Sequence, residues 1–161
     1  MTENMTENMN TTNDNHSLDD NKYDYDSINN NIIDACKRVY TCLGCGHSEK
    51  IYHKALIYEL GCLNYNIDTE KNIIVKYIDS HGYSHNLESE RIDIFIHKYN
   101  IILELKAIQK PIQQQEINQI KKYFNELNKL KEPVYYGLII NFPQPNSKVI
   151  PTSIEYNIIK N

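Results

Sequence analysis

The period of the hydrophobic positions changes several times along this 161-residue chain, and each change marks an element. Residues 1–27 are rich in Asn, Thr and Asp and nearly free of large aliphatic side chains. Such a segment buries too little apolar surface to offset its ordering entropy, so it is expected to be a disordered acidic tail. Its MTENMTENMN opening repeats only once and sets up no solenoid. From residue 28 a helical spacing begins. Ile32, Ile33, Cys36, Val39, Tyr40 and Leu43 form one stripe, predicting a helix over 28–42 that LGCG (43–46) breaks. A second helix is predicted over 47–60, with Ile51, Tyr52, Ala55, Leu56 and Leu60 inward and Gly61 as its stop.

The period then shortens. Strands are predicted over about 66–70 and 73–78, followed by a polar loop around DSHGYS. RIDIFI (91–96) and IILELKA (101–107), separated by HKYN, read as a hairpin. Pro111 is read as the start of a third helix over 112–131, with Ile117, Ile120, Phe124, Leu127 and Leu130 as its apolar stripe and Pro133 as its end. VYYGLIINF (134–142) is almost continuously apolar, as in a strand covered on both faces, and 148–159 adds one more strand. This order predicts an α/β fold: a mixed central sheet flanked by helices, in one domain over 28–161.

Charge changes that picture in one respect. The formal net charge is -4, but seven carboxylates (Glu3, Glu7, Asp14, Asp19, Asp20, Asp24, Asp26) stand against Lys22 alone in the first thirty residues. The remainder is mildly basic, so the overall sign does not exclude a nucleic-acid partner. No apolar run is long enough to span a membrane, and the first residues lack the pattern of a secretory signal. An intracellular location, cytoplasm or nucleus, is therefore expected. Four cysteines are too few for a disulfide scaffold at this length.

The chemistry gathers in the predicted hairpin. Residues two apart in a strand share a face, so Glu104 and Lys106 point one way while Ile101, Leu103, Leu105 and Ala107 point the other. On the preceding strand Ile92, Ile94 and Ile96 take one side and Asp93 the other. A two- or four-residue turn within HKYN puts Asp93 beside Glu104 and Lys106; a three-residue turn needs a bulge. Two carboxylates about 4 Å apart repel by roughly 4 kcal/mol at an effective dielectric of 20. A lysine offsets part of this, and a divalent cation offsets more. Hard oxygen ligands suit Mg²⁺ or Mn²⁺, which can activate water and neutralise a phosphodiester. The bland alternative is a surface salt bridge among Asp93, Glu104, Lys106 and Arg91. Glu49 shares a helical stripe with Tyr52 and Leu56, either as a surface residue favoured by the helix dipole or as a third acidic ligand. Gln119 and Tyr123, at i and i+4, edge the third helix.

GHSEKIY (46–52) resembles the Gly-x-x-Glu-x-x-Tyr signature of the GxxExxY family, within the PD-(D/E)XK nuclease superfamily. The likeness continues through LGCG, ALIYEL (55–60), RID (91–93), ILELKA (102–107), QIKKY (119–123) and GLIINF (137–142), across about residues 30–145. The resemblance implies a restriction-endonuclease-like core and metal-dependent cleavage of nucleic acid, DNA before RNA. By position, Asp93 resembles the superfamily's metal-binding aspartate, Glu104 its second acidic ligand and Lys106 its catalytic lysine. Glu49 matches an extra acidic residue on the first core helix. With a carbonyl near Leu105, these residues would hold Mg²⁺ or Mn²⁺. Gln119 and Tyr123 resemble the Gln-x-x-x-Tyr motif of the RecB-like branch, and with Tyr52 they are the expected supporting residues. Three departures stand out: one extra residue between Asp93 and Glu104, Pro143 after GLIINF in place of Gly, and Cys45 in place of Pro in the LGPG-like turn.

Other constellations carry less. Cys42-x-x-Cys45 with His47 and Cys62 suggests zinc or an iron–sulfur cluster, but lacks a second close pair. Tyr135 and Tyr136 could stack bases or pack in the core. Lys121, Lys122, Lys129 and Lys131 give the third helix a basic side, either a solvated face or a phosphate track. Two rivals to a nuclease follow: a non-catalytic nucleic-acid-binding or assembly module that keeps the scaffold, and a zinc-stabilised interaction domain built on the cysteines.

Overall fold

Helix α1, Tyr25–Leu43, opens on a side-chain cap: Asp24 Oδ1 accepts the Ser27 N–H at 3.1 Å. This is a computed structural model, which describes residues 23–161. The expected tail thus falls outside the described residues up to residue 22, but Tyr25, Asp26 and Ser27, assigned to it from sequence, are helical. A polar first turn has no apolar rhythm to read, and only its cap announces it. Gly44, at φ 71, ends the helix. Helix α2, Glu49–Cys62, follows. Gly61 does not stop it; the left-handed residue after the helix is Asn64, at φ 56. Ile51, expected inward, is exposed, while Tyr52, Leu56 and Leu60 are fully buried.

Strands β1 (Ile67–Ile78) and β2 (Ser84–Ile96) form one long antiparallel hairpin. The two short strands expected at 66–70 and 73–78 are one strand, with Glu70 in its middle at φ 56. β2 begins seven residues before RIDIFI, and its first half, exposed along nearly its whole length, gave no sign of it in the sequence. A strand that buries neither face shows no alternation. A four-residue connection leads to β3, Ile101–Lys106, with Ile96 opposite Ile101.

Helix α3, Gln114–Lys129, starts at a capping box rather than at Pro111: the Gln113 N–H donates to Glu116 Oε2 at 2.9 Å. Every residue of β4, Tyr136–Asn141, is buried, and β5, Glu155–Lys160, completes the sheet. Strand order is β1-β2-β3-β4-β5. Only β3 and β4, joined through α3, run parallel, because a parallel pair needs a crossover of helical length. The α/β class and mixed sheet expected from the sequence are what the chain forms.

The sheet separates two apolar clusters. Ile94, Ile96, Ile101, Leu103, Leu105, Leu138 and Ile140 pack with α1 and α2. Ile92, Phe95, Ile102 and Ile139 pack with Ile120, Tyr123, Phe124 and Leu127 of α3. Ile92 therefore does not share a face with Ile94 and Ile96, as strict alternation predicts; the strand changes face at Asp93.

Gly137 lets α3 close on β4. A Cβ there would lie 2.8 Å from Ile120 Cγ2 and 3.2 Å from its Cδ1. Gly137→Ala is expected to cost about 1–3 kcal/mol, the usual penalty for overpacking a core. Chemical denaturation checks this; unchanged stability would mean that the α3–β4 contact is loose.

Candidate active site

The site begins where β2 and β3 part. They pair at Ile96↔Ile101, Phe95↔Ile102 and Ile94↔Leu103, and the pairing goes no further. Asp93 stands at the parting, and its Oδ2 accepts the Leu105 N–H at 2.7 Å, replacing a ladder bond with a charge-assisted one. The Asp93 carbonyl is held by His53 Nε2 of α2 at 3.1 Å. A carbonyl only accepts, so Nε2 carries the proton. The four-residue connection keeps the register that the sequence needed to bring Asp93 and Glu104 together.

Glu104 is 2% exposed on a strand covered on both sides. Its Oε1 accepts from Lys106 Nζ at 2.7 Å and from Gln119 Nε2 at 2.6 Å. Its Oε2 is buried with no partner. Burial, then the charge of Asp93, push the Glu104 pKa up to about 7, against the pull of Lys106. For Lys106, burial favours the neutral amine, but the nearby carboxylates, Glu104 foremost, raise its pKa overall. Glu49 stands at the first turn of α2 with much of its surface open to water. Its pKa is raised, first by desolvation and then by Asp93, with Lys106, His53 and the Ala107 N–H opposing. Lys106 and Glu104 each feel the charge of Asp93 and of Glu49. The four predicted ionisable groups therefore share one electrostatic neighbourhood, drawn from α2, β2 and β3.

Gln119 donates to Tyr123 Oη at 2.7 Å as well as to Glu104, and Tyr123 Oη donates to the Arg91 carbonyl at 2.9 Å. Burial pushes the Tyr123 phenol up to about 12, so it remains a donor. Tyr52 is farther back. Its hydroxyl donates to the Gly44 carbonyl at 2.7 Å, and its ring stacks on Phe142 at 4.5 Å, so it fixes the turn that launches α2. At the strand ends, Phe142 N–H donates to the Lys106 carbonyl at 2.8 Å and buried Asn141 accepts the Ile108 N–H at 3.0 Å.

In front of Asp93 lies a cleft of about 310 Å³, lined by Glu49, Lys50, His53, Glu70, Arg91, Asp93 and Leu105. Sequence reasoning did not place His53, Glu70 or Lys50 in it. Arg91 was readable from its i, i+2 relation to Asp93 and was weighed only as a salt-bridge partner. Among the described residues, no three His, Cys, Asp or Glu side chains are already gathered as metal ligands. One Glu104 oxygen is taken by Lys106 and Gln119, and one Asp93 oxygen by Leu105. The donor set still suits a hard divalent cation, because Lys106 engages only one Glu104 oxygen and the buried Oε2 is left without a hydrogen bond.

The remaining candidates resolve separately. Cys36 is buried, its thiol pushed up to about 12 by desolvation, while Cys42 and Cys62 are exposed. Tyr136 is buried, with burial raising its pKa, and packs against Tyr25, which also contacts Tyr135. Two lysines of the basic α3 side are engaged, Lys122 with Glu90 at 2.6 Å and Lys129 with Glu126 at 2.7 Å. No helix of the described residues is long and apolar enough to cross a membrane.

Residues 26–151 match the family model of the PD-(D/E)XK nuclease superfamily, so the chain belongs to that superfamily, whose members are generally nucleases and typically use divalent metals. Among solved structures, that of SSO0001 aligns with a TM-score of 0.51 and 19% identity over 70% of this chain. The chain spans half of that structure's length (50%), and the likeness speaks for the fold alone. No curated protein matches the chain.

The Glu104 shift has a defined sign. Its folded pKa of about 7 lies above the ordinary 4.5, so between these values the folded state holds the proton more tightly. Stability of the metal-free protein should fall as pH rises from about 4.5 to about 7, by an amount on the order of 3 kcal/mol from this group. Thermal melts in chelator across that range test this. Glu104→Gln should flatten the fall; an identical pH profile would contradict the assignment.

Proposed function

We propose that this chain is a divalent-metal-dependent nuclease of the GxxExxY type, on the RecB-like branch, that hydrolyses phosphodiester bonds in DNA. One observation carries the reading: a fully buried carboxylate oxygen, Glu104 Oε2, is left without a partner beside a second acid and a lysine. Purely structural charge is normally satisfied when buried. The superfamily membership and the GxxExxY-like blocks support the same conclusion.

In this reading Glu49, Asp93 and Glu104, with a carbonyl near Leu105, would hold Mg²⁺ or Mn²⁺. Such an ion would supply Lewis-acid chemistry, neutralising phosphodiester charge and activating water. Lys106, its pKa raised by its acidic neighbours, keeps its proton at neutral pH. It is placed to donate a hydrogen bond that orients water and stabilises negative charge on the phosphorane oxygens. Gln119 fixes the Glu104 rotamer, and Tyr123 fixes Gln119. His53 holds the Asp93 backbone in place.

The test is cleavage of single- and double-stranded DNA and RNA with Mg²⁺, Mn²⁺ or chelator. Metal-dependent cleavage is expected with the unmodified protein. Lys106→Ala should lower the rate at least about 100-fold, in the range typical of losing a positioned proton donor, and Asp93→Ala should abolish it. Cleavage surviving both changes, or binding without cleavage, would overturn the proposal; the second result would favour a binding module on the same scaffold. Gln119→Ala should lower the rate about tenfold and cost about 1–3 kcal/mol of stability, because it removes one of two donors to buried Glu104.

A further inference from the structure

A nuclease cleft bordered by carboxylates must still accept a polyanion. On the reading above, the cleft therefore needs a cation that engages substrate rather than the catalytic acids. His53 is committed to the Asp93 carbonyl. Lys50 and Arg91 remain on the cleft wall, and the backbone of Arg91 is tied to the site. Its carbonyl accepts from Tyr123 Oη, which receives from Gln119, which in turn donates to Glu104. Three hydrogen bonds thus fix the backbone of Arg91 relative to the catalytic carboxylate.

The Arg91 guanidinium is held only loosely. Its Nη1 lies 3.6 Å from Glu70 Oε2, with side-chain exposures of 60% and 57%. So open and long a pair is weak, and a phosphate can displace it. Glu70 occupies an unusual position. It takes φ 56 in mid-strand, between the pairs Thr69↔Ile94 and Lys71↔Ile92, which places it opposite Asp93. A left-handed residue that is not glycine is strained, and here it lines the same cleft as Arg91 and Asp93.

We propose that Arg91 seats a phosphate of the substrate strand adjacent to the reacting one, with Glu70 as a positioning residue that holds the guanidinium at the cleft mouth until the phosphate displaces it. The planar guanidinium can present two parallel N–H donors to a phosphate, which an ammonium cannot.

Anisotropy titrations with a fluorescein-labelled oligonucleotide, of the type the unmodified protein cleaves, test this without divalent ion over a range of salt. Single-turnover cleavage with Mg²⁺ accompanies them. Arg91→Ala should weaken binding about tenfold and reduce the slope of log K against log salt by about 0.7–0.9, one phosphate contact. Its rate at saturating protein should fall by a smaller factor than its affinity. Arg91→Lys should recover only part of the affinity. Glu70→Gln should tighten binding a few-fold by freeing the guanidinium. An Arg91→Ala protein with unchanged affinity and slope, or one that loses rate but not affinity, overturns the proposal. Loss of cleavage at unchanged affinity in Glu70→Gln overturns the role given to Glu70. An unmodified protein that neither binds nor cleaves nucleic acid overturns the nuclease reading itself, whereas cleavage with an indifferent Arg91→Ala overturns this inference alone.

Discussion

The interaction on which the site depends is the burial of Glu104. An ionised carboxylate in a strand covered on both faces has no water to lean on, so its neighbours must supply what water would. Lys106 and Gln119 both approach the same oxygen, and the other is left alone. The Glu104 pKa rises to about 7 although a lysine sits 2.7 Å away. Desolvation and the charge of Asp93 together outweigh the single ion pair. The remaining imbalance can be relieved in two ways, by a proton or by a metal cation. On the proposed function, the second is the one that matters.

The fold makes this arrangement affordable by breaking its own regularity in one place. β2 and β3 stop pairing at Asp93, and the Asp93 carboxylate takes over a backbone donor that the ladder would have used. Opposite this break, β1 carries Glu70 in a left-handed conformation. The face of β2 switches at the same point, so Ile92 packs under α3 while Ile94 packs under α1 and α2. Opening the sheet there exposes a cleft between α2 and the parted strands. Helix α3 then braces the site from the other face through Gln119 and Tyr123. Gly137 contributes indirectly, since its missing side chain lets Ile120 seat α3 close to the sheet.

Much of this was readable from residue order. Alternation in ILELKA put Glu104 and Lys106 on one face, and the aliphatic neighbours of Asp93 marked it as the odd residue in its strand. The third helix showed its stripe, and the i, i+4 spacing of Gln119 and Tyr123 put both on one edge of it, while their link to Glu104 came only through the resemblance. The losses have specific causes. The start of α1 lies in a polar turn whose only signal is the Asp24 cap. The outer half of β2 buries nothing and so carries no period. Asn64 and Glu70 adopt left-handed conformations that pattern reasoning assigns to glycine. Tyr52 shares the stripe of Glu49, yet its hydroxyl turns back to Gly44, a rotamer choice that spacing does not encode. Cleft residues such as His53 and Glu70 come from elements distant in sequence, and only their packing brings them together.

Central to the proposed function is that Glu104, Asp93 and Glu49 share one cation site. Anomalous diffraction from crystals soaked in Mn²⁺, recorded at a wavelength where manganese scatters anomalously, addresses it directly. The account requires a peak within coordinating distance of the Glu104 and Asp93 carboxylates. A fully soaked crystal with no peak there, or with manganese bound only elsewhere on the surface, would contradict it.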